Sequence, residues 1–234
     1  MIRELVLKNR SYRRFYEKET IDHSTLRELV DLARLSASGA NLQPLKYILS
    51  CEEERNASIF PHLRWAAYLK GWSGPADGER PAAYIVILGD SYISPTIGPD
   101  HGIVAQSMLL GAVEQGLGGC IVASINRQGL KSDLGIPDGL EILIVLALGV
   151  PAEEVRLEEA GRGGDIRYWR DEAGVHHVPK RPLSDLILEL SSGTPGGRSG
   201  VTGDAILQQS GGPGTSVRAS GRQPEAVAES PSLP

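Results

Sequence analysis

Glu79-Arg80-Pro81-Ala82-Ala83-Tyr84-Ile85-Val86-Ile87-Leu88-Gly89-Asp90 contains seven consecutive apolar residues without the alternation of a half-exposed strand. Ala83 to Leu88 therefore reads as a strand in a sheet covered on both faces. Glu141 to Leu148 is a second run of this kind and the strongest strand signal in the chain, and Lys46 to Cys51 and Cys120 to Val122 read as further strands. Helical patterns separate them. Ile2 to Asn9 reads as a short opening helix, and Asp22 is placed to cap a helix that carries Leu26, Leu29, Val30 and Ala33 and ends near Ser36. Asp100 is placed to cap a largely buried helix with Ile103, Val104, Ser107, Leu110, Gly111 and Glu114 along one side, stopping at Gly116 or Gly118. A short helix is expected at Gln128 to Leu134, and a last one from Pro182 through Leu190. Asp171-Glu-Ala-Gly174 is a turn signal between Arg167–Trp169 and Val175–Val178, which predicts a hairpin or a pair of extended arms. The order of elements alternates as in α/β proteins.

The 234 residues are 41% hydrophobic and 23% charged, enough to bury one sizeable core. A net charge of -5 and a pI near 5.6 argue against a surface that tracks nucleic-acid phosphates, while leaving room for a local basic pocket. Cys51 and Cys120 have neither disulfide-framework nor metal-site spacing, so no metal is expected and a reducing, cytoplasmic setting fits. The longest apolar run, Ile142 to Leu148, is far too short to span a bilayer. From Gly193 onward Gly, Ser and Pro dominate and large apolar residues are sparse. The expected organisation is thus one domain over residues 1–192 and a disordered tail over 193–234.

Two constellations carry chemistry. In Asn9-Arg10-Ser11-Tyr12-Arg13-Arg14-Phe15, three guanidinium groups and a hydroxyl gather in a protein of negative net charge. Arginine forks match phosphate oxygens bidentately, so a phosphate-bearing ligand is the chemical reading, and a solvated basic face is the plainer one. In Ser36-Ala-Ser38-Gly39-Ala40-Asn41-Leu42-Gln43-Pro44, small residues would admit a planar ligand and two amides would read its ring heteroatoms. A helix-ending turn built on Asn41 is the alternative.

Taken in order, Arg10-Ser-x-Arg13-x-Phe15, Ser38-Gly-x-Asn41-x-Gln43-Pro44, Glu79-Arg-Pro-Ala-Ala-Tyr-Ile-Val86, Asp100 with its helix ending Gly116-Leu-Gly-Gly-Cys120, Leu134-Gly-Ile-Pro137 and Pro179-Lys-Arg-Pro-Leu183 resemble the nitroreductase-like flavoprotein family. The resemblance implies an α+β sandwich, with a central, mostly antiparallel sheet flanked by helices, in an intertwined homodimer. It implies bound FMN that passes electrons from NADH or NADPH to a small oxidised acceptor, such as a nitroaromatic or quinone, by a ping-pong route. It matches Arg10, Ser11 and Arg13 to the flavin phosphate, ribityl chain and pyrimidine edge, with Arg13 the charge stabiliser at N1 and O2. Lys180 or Arg181 would add charge at the phosphate, and Ser38, Gly39, Asn41 and Gln43 would belong to a loop reaching the flavin from the second subunit. Ile121, Val122, Ala123 and Ser124 match the segment along the isoalloxazine, where a backbone N–H of Ala123 or Ser124 would approach N5. Two positions depart from the pattern: Asn9 stands where the family often has Arg, and Ala123 where well-known members have an acid.

Other signals point away from chemistry. Gly116-Leu-Gly-Gly follows a helix and leads into a strand, the reverse of a dinucleotide fingerprint. His176 and His177, adjacent on a strand, face opposite ways, so a surface or hairpin role is expected rather than a joint metal site. Cys120 reads as a small buried residue. The segment Trp65 to Pro75 reads equally as a substrate lid or as an aromatic patch completing the core. Against the enzyme reading stand a flavin-binding or sensing module with a partner-recruiting tail, and same-fold relatives that cleave flavin or dehalogenate.

Overall fold

In the computed structural model, which describes residues 1–189, the chain runs α1 (Ile2–Lys8), α2 (His23–Leu35), β1 (Leu45–Ser50), α3 (Glu53–Ile59), β2 (Ala83–Asp90), α4 (Asp100–Glu114), β3 (Gly118–Val122), α5 (Arg127–Asp133) and β4 (Leu140–Gly149). A second group of strands, β5 (Val155–Glu159), β6 (Trp169–Arg170) and β7 (His176–Lys180), follows. The first four strands form one sheet in the order β1-β2-β4-β3, and every pairing in it is antiparallel. The fold is therefore α+β: helices and strands do alternate along the chain as far as β4, but the strands pair antiparallel rather than parallel. The unbroken apolar run of β2 has a simple cause. Ala83, Ile85 and Ile87 pack with Leu26, Leu29, Val104 and Met108 on one face, while Tyr84, Val86 and Leu88 pack with Ile59, Leu63, Trp65 and Leu130 on the other. Each successive side chain enters a core, so no polar face interrupts the sequence. The pairing of β2 with β4 slips between Ile87 and Leu88, which leaves Leu143 without a partner in the ladder. This bulge turns Ile142 and Val145 into the same cluster although they are three residues apart.

Three expectations require correction. Asp100 opens α4, but Pro99 occupies the cap position and the buried Asp100 carboxylate turns from its own helix to the Ser38 loop. The buried side of α4 is Val104, Ala105, Met108, Leu109, Gly111 and Ala112, whereas Ile103 is exposed, because α2 and the sheet cover it on two sides. After Pro182 only a 3-10 turn forms at Leu183–Asp185, with Leu186, Ile187 and Leu188 exposed and unable to anchor a longer helix. Helix α3 was not legible because only Ile59 of its seven residues is buried, leaving no periodic apolar pattern. The tail expected over 193–234 lies outside the described residues.

The arginine segment is laid against the β3 edge. Ser11 bridges Gly119, and the Tyr12 amide donates to the Gly119 carbonyl at 3.1 Å. A methyl group on Gly118 would stand 2.5 Å from the Tyr12 ring and 2.6 Å from Pro151, and one on Gly119 would stand 2.9 Å from the Ala147 carbonyl. The paired glycines thus make room for the Tyr12 ring and Pro151 over Gly118 and for close packing of Gly119 on β4.

The smaller sheet, ordered β5-β7-β6, has β5 parallel and β6 antiparallel to β7. The turn at Asp171–Gly174 joins β6 to β7, as its residues predict. Glu153 ties this sheet to the arginine segment. Its side chain is 1% exposed, accepts the backbone N–H groups of Arg13 (2.5 Å) and Arg14 (3.2 Å), and pairs with Arg170 at 2.7 Å. Removing one partner of such a buried pair leaves a charge and two amides without acceptors, so Glu153→Ala should destabilise the protein by about 3–5 kcal/mol. Urea unfolding reads this directly, and a change no larger than that of an ordinary surface substitution would show that Glu153 ties nothing together.

Candidate functional site

The three clustered arginines have different environments. Arg14 is committed to structure, since its guanidinium forks onto Glu79, with Nε to Oε2 at 2.8 Å and a closer second contact. That bond raises the Arg14 pKa and lowers that of Glu79. Arg10 and Arg13 are half-buried, and among the described residues neither forms an ion pair with a carboxylate. Arg10 donates through Nη2 to the Val6 carbonyl at 2.5 Å, its Nε is enclosed without a partner, and burial pushes its pKa down. Arg13 donates through Nη1 to the Ser11 carbonyl at 3.1 Å, faces His176 Nε2 at 3.3 Å, and lies 5.0 Å over the Tyr168 ring. A guanidinium held out of water without a counter-charge calls for an anion or a strong acceptor.

Beside these arginines runs the end of β3. Ile121 is 42% exposed on the strand's open side, Val122 points into the core, and Ala123 and Ser124 are exposed. The Arg64 amide donates to the Ser124 carbonyl at 2.9 Å, and Arg127 donates to the Ala123 carbonyl at 3.2 Å, so this segment has a fixed course. The Trp65 to Pro75 stretch divides between its two readings. Trp65 is buried in the core, whereas Tyr68 is exposed and packs on Tyr168 at 5.0 Å, and Trp72 lies 4.9 Å below the Arg170 guanidinium.

The Ser38 loop stands elsewhere. Ser38 Oγ donates to Asp100 at 2.6 Å, the Gly39 amide donates to the same carboxylate at 3.0 Å, and the Gln43 amide donates to Ser38 Oγ at 2.9 Å. These bonds hold Ala40, Asn41 and Gln43 in the left-handed region, with φ of 48°, 54° and 52°. Such a conformation is strained for residues with a Cβ and is maintained only where its surroundings enforce it. Gly39, Asn41 and Gln43 are exposed. The loop leads into β1, whereas Arg10–Arg13 lie against β3, and three strand spacings separate those edges, about 14 Å. Within one chain the structure does not bring the two constellations together. Lys180 and Arg181 are exposed at the far end of β7 from His176, and the four-residue rise to Lys180 spans about 13 Å.

Sequence reading missed Tyr168 and His176, which contact the Arg13 side chain, Glu153, which accepts its backbone amide, and Arg170, which pairs with Glu153. The hairpin that carries three of them was legible, but its partner was not, because contacts over 140 residues of chain leave no local pattern. His176 and His177 do face opposite ways, yet both are buried rather than superficial. Burial, then Arg13 and Arg170, push His176 down to about 4, so its ring is uncharged at neutral pH. His177 is raised by Asp171 and Glu158, which flank its two ring nitrogens, and it stacks on Trp169 at 4.0 Å. Cys120 is buried, and burial pushes its thiol up, which leaves it inert as a nucleophile.

Comparison with known proteins agrees with this architecture. The profile described as the nitroreductase family matches residues 6–74 and 75–150. A curated NADPH-flavin oxidoreductase of Vibrio harveyi is 26% identical over 166 residues, which are 63% of this chain and 65% of that protein, so the chain spans about two thirds of its relative's length. Among solved structures, a nitroreductase family protein from Streptococcus pneumoniae TIGR4 superposes with a TM-score of 0.60 at 16% identity, over 81% of this chain and all of its own. An FMN-dependent nitroreductase from Clostridium difficile R20291 does so at 0.54 and 21%, over 66% of this chain and 89% of its own. Profile, sheet order and the placement of the arginine segment against β3 lead to one assignment: the chain belongs to the nitroreductase family.

Proposed function

We propose that this protein is an FMN-dependent oxidoreductase whose cofactor lies against β3 between Arg10 and Arg13. The observation that carries this reading is the pair of half-buried guanidinium groups, Arg10 and Arg13, without carboxylate partners beside the exposed edge of Ile121 to Ser124. Arg10 and Ser11 suit a phosphate, Arg13 suits the electron-rich N1 and O2 edge of the ring, and the side-chain-poor Ala123 and Ser124 leave room for a planar group. Lys180 and Arg181, both exposed, would add positive charge toward the phosphate. When bound, FMN supplies two-electron chemistry, accepting from NADH or NADPH and giving to a small oxidised acceptor such as a nitroaromatic or quinone. The chain's part is to bind, orient and shield. Arg13 stabilises charge at the pyrimidine edge, and Tyr68 covers the site from the Trp65 to Pro75 segment.

The same reading makes the protein a homodimer with shared sites. The Ser38–Gln43 loop is rigidly shaped, exposed and on the sheet edge opposite Arg13, which is the wrong place to serve its own chain's site and a suitable one to serve a partner's. Helix α1 also needs a partner, since none of its seven residues is buried and Ile2, Val6 and Leu7 are exposed. A helix this short has little stability of its own. Two-fold symmetry would generate two such sites from one loop and one arginine segment.

Purified protein mixed with FMN should acquire flavin absorbance and should oxidise NADH or NADPH rapidly when an artificial acceptor is present. Binding without turnover would leave a flavin-binding module. Riboflavin, which lacks the phosphate, should bind at least a hundredfold more weakly, since charge-assisted hydrogen bonds contribute about 1.5–3 kcal/mol each. Arg10→Ala should abolish most of that preference, and equal affinities of the unaltered protein for FMN and riboflavin would contradict the phosphate assignment. For the shared site, mixing inactive Arg13→Ala and Asn41→Ala subunits should restore part of the turnover, because each heterodimer holds one intact site. No recovery after demonstrated subunit exchange would place both groups in one chain.

A further inference from the structure

Arg13 is held on two sides by residues beyond the matched stretch 6–150. Tyr168 lies under the guanidinium plane at 5.0 Å, and His176 Nε2 faces Nη1 at 3.3 Å, where the Ser11 carbonyl also accepts. The Tyr168 ring is in turn fixed, packed on His176 at 5.3 Å and on Tyr68 at 5.0 Å, with the Tyr68 amide donating to its hydroxyl at 3.4 Å. These contacts occupy one face of the guanidinium and one terminal nitrogen. Nε and Nη2 have no protein acceptor among the described residues, and together they form the edge whose two parallel N–H bonds match a bidentate acceptor. The N1 and C2=O pair of a flavin is such an acceptor.

We propose that Tyr168 and His176 are positioning residues for Arg13, selecting the Nε–Nη2 edge of its guanidinium for the pyrimidine side of the cofactor. This rests on the reading that places that side of FMN at Arg13. The chemistry of His176 fits the task. It lies between two cations, Arg13 and Arg170, and beside His177, and burial together with these charges keeps its ring neutral. A neutral imidazole that accepts through Nε2 carries its proton on Nδ1, which is enclosed without a partner. A charged ring would instead repel the guanidinium it holds. Glu153 offsets Arg170 on the other side, so Arg13 is the one cation of this group with an edge left open to a ligand.

The test is the two-electron potential of bound FMN in single variants. Arg13→Ala and His176→Leu should each weaken binding of reduced relative to oxidised flavin by about tenfold, a shift of about 30 mV to more negative potential for a two-electron couple. His176→Gln, which returns an acceptor, should recover most of the shift, and Tyr168→Phe, which keeps the ring, should change little while Tyr168→Leu follows His176→Leu. Where His176→Leu yields no folded protein, Tyr168→Leu carries the same measurement. A potential that moves in Arg13→Ala but stays unchanged in both His176→Leu and Tyr168→Leu would overturn the positioning role. A potential unmoved in Arg13→Ala, with FMN still bound, would instead overturn the placement of Arg13 at the ring, and the positioning role with it.

Discussion

The buried carboxylate of Glu153 is the contact on which the site's geometry depends. It accepts two consecutive backbone amides of the arginine segment and pairs with Arg170 of the C-terminal hairpin. A neutral side chain would not hold both, since the amides need an acceptor and Arg170 needs a counter-charge. With those amides fixed, Arg13 and Arg14 must depart in set directions, Arg14 to Glu79 and Arg13 to the Tyr168–His176 side. One carboxylate thereby separates a structural arginine from one left open to a ligand.

The larger sheet provides the other constraint. Because β1 and β3 are its two edges, the arginine segment and the Ser38–Gln43 loop are kept apart by the width of the sheet. Each is held firmly where it is, the first by Gly118, Gly119 and Glu153, the second by Asp100. No small loop movement joins them. A site that used both would need two chains related by symmetry, as proposed above, rather than flexibility within one.

Much of this was legible in the sequence, for identifiable reasons. β2 and β4 stand out because both sheet faces are covered, and the α2 pattern of Leu26, Leu29 and Ala33 stands out because only one side of that helix is. The antiparallel direction of the sheet was not in the run itself, since burial on both faces erases the alternation that marks antiparallel pairing. Asp100 was misread because an acid at a helix start looks like a cap whether it bonds its own helix or, as here, a loop 61 residues earlier in the chain. In the site, the cationic cluster was visible as composition, but which arginine is spoken for was not. That distinction lies in Glu79, Glu153 and His176, each far away in sequence and unremarkable in its own neighbourhood.

In the proposed site FMN lies between Arg10 and Arg13 along β3, completed by a loop from a second subunit. A crystal structure of the protein with FMN tests it most directly. The expected result is flavin density with its phosphate at Arg10 and Ser11, its N1 and O2 edge at Nε and Nη2 of Arg13, and the partner subunit's Asn41 at the ring. Flavin bound away from β3, or a ring contacted by Asn41 of the same chain that supplies Arg13, would contradict it.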